Sequence, residues 1–230
     1  VCCETSAHNS GVLHAGYNNR PGSRMARYCV EGNEGFDRVA GELDVPFRRT
    51  GKLVVGFDEQ DLAELKRLKA QGEACGCRGL EIVGRDRFKE LAPFVEGAFA
   101  MYSPMTGILD PFQLTIGLAE NACRNGVKYL FRCEVTGVRK EGGAYSVATS
   151  RGVLQGRWII NCAGLYADRI AGMLGVDDYR IHPCRGEYIV LDQRLGPMLP
   201  LPVYPVPNIR TGGLGIHLTP TVDENVMVGP

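Results

Sequence analysis

Segments with helical spacing and segments with strand-like alternation take turns along this chain, and that alternation points to an α/β architecture. From Pro21 the residues Met25, Tyr28, Cys29, Gly32, Phe36, Val39 and Leu43 recur at intervals of three and four, the period of one helix face. A short strand is expected over 52–57. An amphipathic helix is expected over 59–76, carrying Leu62, Leu65 and Leu68 and stopped by Gly76. Asp110-Pro111 opens another helix, because Asp can accept from the free N–H groups of a first turn and Pro is tolerated there. Gly126 should close it. Strands are expected over 127–131, 145–149 and 157–161, and a helix over 166–174. From His182 onward Pro-rich turns separate strands over 187–191, 214–218 and 225–229, which reads as antiparallel sheet.

Two α/β-type stretches thus interleave with two sheet-rich stretches, and the chain crosses between two domains more than once. Residues 1–43 and 109–175 form one expected domain, and residues 44–108 and 176–230 the other. The charge balance, 26 Lys and Arg against 26 Asp and Glu, lacks the basic excess of a nucleic-acid binder. No apolar run is long enough to span a bilayer. Val1 to Ser10 is rich in cysteine and polar residues, unlike a signal peptide. The nine cysteines form no C-x-x-C pair and lack zinc-finger spacing, so no metal is expected and most thiols are expected buried and inert. A reducing cytoplasm is the expected location, with peripheral membrane association as the other option.

Four blocks carry the candidate chemistry. In Asn9-Ser10-Gly11-Val12-Leu13-His14-Ala15-Gly16, glycine lets backbone approach a flat ligand, Ser and Asn can bond its polar edge, and His14 can accept a proton near neutral pH. An ordinary loop with a hydrogen-bonded histidine fits the same residues. Ile159-Ile160-Asn161-Cys162-Ala163-Gly164 is an apolar run entering Ala-Gly, and ligands of α/β sheets bind beyond such strand ends; a plain β-to-α turn fits it too. Arg185 in Arg185-Gly186-Glu187-Tyr188 can hold a carboxylate or phosphate with both arms of its guanidinium, or can pair with Glu187 or backbone carbonyls. Thr211-Gly212-Gly213-Leu214-Gly215-Ile216-His217 is glycine-rich but is followed by a strand, so it is no dinucleotide fingerprint.

In series, the blocks from Asn9 to Gly16, Asn161 to Asp168, Pro183 to Tyr188 and Gly215 to Asp223 resemble the D-amino-acid-oxidase-type flavoproteins. The nearest branch is that of the L-2-hydroxyglutarate and glycerol-3-phosphate dehydrogenase-like enzymes. The resemblance covers nearly the whole chain. It implies a partial Rossmann-like FAD domain interleaved with a mixed or antiparallel-sheet substrate domain. FAD is the implied cofactor, with hydride passing from a small anionic hydroxy compound to the flavin and then to an unnamed electron acceptor. Asn9, Ser10, Gly11, Val12 and Leu13 are implied to line the flavin ring, the Val135 backbone to face the adenine, and Ala163 and Gly164 to lie against the cofactor. His14 and Arg185 are implied catalytic residues, with Arg185, Arg210 and His217 drawing in the anionic substrate.

The sequence departs from that family in two respects. Relatives open with a strand, a G-x-G-x-x-G turn and a helix that holds the pyrophosphate, and they continue past the residues matching Gly229 and Pro230. Neither segment occurs here, so this chain is expected to bind FAD weakly or not at all. Glu224 also stands where relatives commonly carry glycine, in the turn before the last strand. Two other readings accompany the dehydrogenase: an amine or amino-acid oxidase on the same fold, and a cofactor-free interaction module.

Overall fold

The computed structural model describes residues 1–207 and 215–230. Along the chain run β1 (Val12–Leu13), α1 (Arg24–Leu43), β2 (Phe47–Arg48), β3 (Leu53–Gly56), α2 (Glu59–Ala74), β4 (Glu81–Val83) and α3 (Arg85–Leu91). Next come β5 (Phe99–Tyr102), β6 (Gly107–Leu109), α4 (Pro111–Arg124), β7 (Val135–Glu141), β8 (Ala144–Thr149), β9 (Gly152–Gly156) and α5 (Ala167–Gly172). The last strands are β10 (Ile189–Leu191), β11 (Val203–Pro205), β12 (His217–Pro220) and β13 (Val226–Gly229). The chain packs as two compact units, 1–121 with 186–230 and 122–185.

The larger unit is built on a seven-stranded sheet in the order β10-β13-β12-β11-β3-β5-β4. Its strands pair antiparallel except β11 and β3, which run parallel at its centre. All seven strands come from the stretches 44–108 and 186–230. Both faces of β3 are covered, which explains its unbroken apolar run. Leu53 and Val55 pack with Phe88, Val203 and Val226 on one side, and Val54 packs with Leu65, Met101 and Tyr204 on the other. A small sheet, β1-β6-β2, pairs the N-terminal loop with the strand ahead of α4.

The helices start where side chains can take up their free N–H groups. Ser23 Oγ accepts from Ala26 N at 3.1 Å ahead of α1. Asp58 Oδ1 accepts from Gln60 N and Asp61 N ahead of α2, while Asp61 Oδ2 reaches back to Phe57 N at 2.8 Å. Asp110 Oδ1 accepts from Phe112 N and Gln113 N, as the Asp-Pro pair predicts. Gly126 adopts φ 87°, the left-handed stop expected of it.

The smaller unit carries the meander β7-β8-β9 and α5. Gly142 and Gly143, both at positive φ, make the two-residue turn joining β7 to β8.

Several expectations need correction. The runs 127–131 and 157–161 are not strands, because no described strand lies alongside them to take their backbone hydrogen bonds. The helix expected over 166–174 is a 3-10 turn, Gly164–Tyr166, followed by α5, which ends at Gly172. The thiols are not mostly buried: only Cys77 is, while Cys3, Cys123, Cys162 and Cys184 are exposed. Those four fall on loops or on α4, which has no fully buried residue. Arg210 lies outside the described residues. The division by role, 1–43 with 109–175 against 44–108 with 176–230, is of another kind than the division by compactness and remains a proposal.

Candidate active site

The loop from Asn9 to Gly16 is fixed from beneath. Asn9 Oδ1 accepts from Gly11 N at 2.9 Å, and Leu109 N donates to Gly11 O at 2.8 Å. Gly11 sits at φ 63°, and a Cβ there would lie 2.5 Å from the Leu109 carbonyl oxygen. Glycine is therefore required by the chain's own backbone at this point, a reason the sequence reading did not supply. The His14 carbonyl accepts from buried Asn33 Nδ2 at 3.0 Å, and the same amide bonds Met105 O at 2.9 Å. Arg49 Nη1 in turn donates to Asn33 Oδ1 at 2.8 Å and also pairs with Asp37. The backbone of His14 is thus held by a hydrogen-bonded network running back to α1.

His14 shares its surroundings with His217 and with a residue the sequence reading passed over, Lys52. His217, at the start of β12, is 3% exposed. Its Nδ1 lies 3.1 Å from Gly215 O, so this nitrogen carries the proton and Nε2 keeps the lone pair. Nε2 is buried with no hydrogen-bond partner among the described residues. The ring stacks on Tyr204 at 3.9 Å between centroids and 17° between planes, and meets Tyr188 edge-on at 6.1 Å. Lys52 is 0% exposed, with its Nζ 4.0 Å from the Tyr204 ring centroid and 4.8 Å from that of Tyr17.

Burial shapes the protonation of this cluster. Desolvation, then the charges of Lys52 and His217, push the His14 pKa down from 6.5 to about 4. His14 is nonetheless exposed to solvent, which screens these effects, so the direction, toward the neutral imidazole, is the part that matters for chemistry. Desolvation and Lys52 lower His217 as well, against the opposing pull of the Gly215 carbonyl. Desolvation pushes the Tyr204 phenol up to about 12, with the Thr219 and Ser10 hydroxyls beside it pulling the other way. The Tyr188 phenol is also raised by burial, again with Ser10 alongside.

Of the residues singled out in the sequence, the structure gathers Asn9, Ser10, Gly11, Val12, Leu13, His14 and His217 in the larger unit. Val135 opens β7 in the smaller unit, where Ala163 and Gly164 begin the 3-10 turn; Arg185, exposed, is that unit's last residue. Lys52, Tyr17, Tyr204 and Asn33 were missed. Lys52 did carry a signal: it is the lone charge at the head of the apolar run Leu53-Val54-Val55.

The whole chain, residues 1–230, matches the family described as DAO, FAD dependent oxidoreductase, and the chain belongs to that family. It is 36% identical over 228 residues to a glycerol 3-phosphate dehydrogenase of Caloramator mitchellensis, covering 98% of this chain and 47% of that protein. It is 33% identical over 238 residues to the mitochondrial L-2-hydroxyglutarate dehydrogenase of Mus musculus, covering 98% of this chain and 51% of that protein. Its fold matches that of the FAD-bound L-alpha-glycerophosphate oxidase of Mycoplasma pneumoniae with a TM-score of 0.92 at 29% identity, over 100% of this chain and 62% of that one. The chain spans about half the length of the dehydrogenases it matches.

The residues present suit the ring end of a flavin. Ser10, Tyr188 and Tyr204 bring hydroxyls together beside the loop, and buried Nε2 of His217 has no hydrogen-bond partner among the described residues. Such donors and acceptors match the polar edge of a heteroaromatic ring or a small polar substrate beside it. A G-x-G-x-x-G turn for the pyrophosphate does not occur in these 230 residues.

Proposed function

We propose that this chain forms part of a flavin-dependent dehydrogenase that oxidises a small anionic secondary alcohol, either glycerol 3-phosphate or L-2-hydroxyglutarate. The observation that carries the reading is His14, its imidazole disposed to be neutral and its backbone carbonyl held by Asn33, within a family that oxidises substrates with FAD. Similarity to dehydrogenases named for each of the two substrates supports the substrate class and leaves the choice between them to experiment. A bound flavin would supply the acceptor for the hydride of the carbinol carbon. His14 accepts the hydroxyl proton as that hydride leaves, so that no alkoxide is left without a partner. Arg185 holds the anionic group with both arms of its guanidinium, and Arg210 and His217 assist in drawing it in. The backbone of Asn9 to Leu13, with Ala163, Gly164 and the Val135 backbone, lies against the cofactor.

The test uses the intact protein with its native flanking segments. Anaerobic flavin reduction is followed with each substrate in turn, in the wild type and in His14→Asn. Asparagine keeps a polar group of similar reach but cannot take the proton. The maximal rate should fall roughly 100- to 10,000-fold, with one ionisation lost from the pH profile and melting temperature little changed. An unchanged reduction rate removes His14 from the chemistry. Rapid reduction by a primary amine or amino acid, with neither alcohol active, replaces the substrate class.

A further inference from the structure

Lys52 is the member of the cluster that its packing does not account for. Its backbone is fastened to Ser103 by a pair of hydrogen bonds, with Lys52 N donating to Ser103 O at 3.0 Å and Ser103 N donating to Lys52 O at 2.8 Å. The side chain enters the same face of the sheet as Val54, toward Tyr17 and Tyr204. There the ammonium finds two aromatic rings and, among the described residues, no hydrogen-bond acceptor. Imidazole and ammonium each lie about 4 Å from the Tyr204 centroid, too close to share one face of it. Tyr204 is therefore sandwiched, with Lys52 on one face and His217 on the other. Among the described residues, the titratable groups around the ammonium are His14 and Tyr17 from the N-terminal loop, Cys29 from α1, Tyr204 from β11 and His217 from β12, with Cys77 beside Tyr17. None of these is a carboxylate. A core ammonium without a counter-ion destabilises a fold, so packing alone gives no reason for this one.

We propose that Lys52 is a positioning residue for the proton-accepting site: while protonated, its buried ammonium, clamped between Tyr17 and Tyr204 and across the Tyr204 ring from His217, adds to burial a positive charge that disfavours protonation of His217 and His14. The inference rests on the reading of His14 as proton acceptor and adds what prepares it. A neutral imidazole can take the hydroxyl proton, whereas an imidazolium cannot. Removing the charge while keeping the shape, as in Lys52→Met, should let His14 hold its proton at higher pH. Lys52→Arg keeps the charge.

The experiment is nitrogen-15 NMR of histidine-labelled chain across a pH series, which needs neither flavin nor turnover. In Lys52→Met the proton affinity of His14 should rise roughly tenfold and that of His217 by less, the low end of what a nearby like charge does. In Lys52→Arg both should stay near the wild-type values. An unmoved His14 in Lys52→Met overturns the proposal, as does an equal movement in both variants, which would mean that shape and not charge matters. Stability gives a second reading. Burial lowers the Lys52 pKa from 10.5 to about 7, so between those values the unfolded chain holds a proton that the folded chain has released. Stability attributable to Lys52 therefore rises with pH across that window, and below it the fold carries the full cost of the buried charge. Lys52→Met should melt higher than wild type at pH 6, with the gain shrinking as pH approaches 10. A lower melting temperature at every pH makes Lys52 a packing residue and overturns the proposal. If the methionine variant does not fold, carbon-13 labelling of lysine in the wild type decides: His14 resonances must show a second inflection where Lys52 titrates, and a single one refutes the coupling. The two readings fail separately. A shifted His14 in Lys52→Met with normal flavin reduction in His14→Asn keeps the electrostatic role and discards the proton acceptor, and the opposite pair of results does the reverse.

Discussion

In the seven-stranded sheet, β3 carries Leu53, Val54 and Val55 in succession, and all three are buried. In the unit 122–185, the runs around Leu130 and Ile160 are as apolar in sequence, yet Leu130 is largely exposed and Trp158 and Ile160 are each 85% exposed. The difference is one of neighbours. β3 has β11 on one side and β5 on the other, with a layer of side chains over each face. The runs 127–131 and 157–161 have no described strand beside them. An extended segment becomes a strand only when another backbone accepts its hydrogen bonds, so apolar composition and β-branching state a preference that pairing must complete.

The largest effect is expected where that completion is fullest. Phe88 on α3 is 0% exposed and packs against Leu53, Val83, Ala100 and Val203. Phe88→Ala should cost about 3 to 5 kcal/mol in urea unfolding, because the sheet beneath it can collapse only partly into the space. A loss under about 1 kcal/mol would mean that this core is no tighter than the smaller unit, and the contrast between the two would fall.

A smaller effect, of opposite sign, tests a flaw within the well-packed unit. Glu224 adopts φ 68° in the turn between β12 and β13, where its N–H donates to Thr221 O at 3.2 Å. A side chain in the left-handed region costs roughly 1 to 2 kcal/mol relative to glycine, partly offset by glycine's freer unfolded state. Glu224→Gly should therefore stabilise the chain by about 0.5 to 1 kcal/mol in the same assay. A loss of stability would show that the glutamate makes a contact outweighing its backbone strain.

How much of this could be read beforehand depended on how local the cause was. Helix starts at Ser23, Asp58 and Asp110 and the stops at Gly76 and Gly126 are set by residues a turn away, and the sequence carries them openly. The glycine preference at position 224 was visible through the family resemblance, and the positive φ supplies its reason. The parallel junction of β3 with β11 joins residues about 150 apart, and no periodicity announces it. The site divides the same way. The loop from Asn9 to His14 is a contiguous motif, whereas Lys52, Tyr204 and His217 meet only because three strands of one sheet bring them together. Lys52 stands out in sequence only as the lone charge at the head of an apolar run, and its burial follows from Tyr17 and Tyr204 closing over it.

The smallest effect is expected at Trp158, and it bears most directly on the contrast between the two units. This is the only tryptophan in the chain, so its fluorescence reports on one place without ambiguity. With the indole 85% exposed, its emission should match that of a water-exposed tryptophan, and acrylamide should quench it nearly as well as it quenches a free indole. Removing its bulk should matter little, since a side chain with few partners has little packing to lose; Trp158→Phe should change unfolding stability by less than about 0.5 kcal/mol. The two measurements must agree for the contrast to hold. Blue-shifted, poorly quenched emission from the wild-type chain would show that something covers the 157–161 run in solution. A loss of stability in Trp158→Phe would then follow, because the covering contact would go with the ring. If instead the indole is open to quencher and Phe replaces it without penalty, the run is apolar, unpaired and solvated, and the strand it resembles in sequence is absent for want of a neighbour.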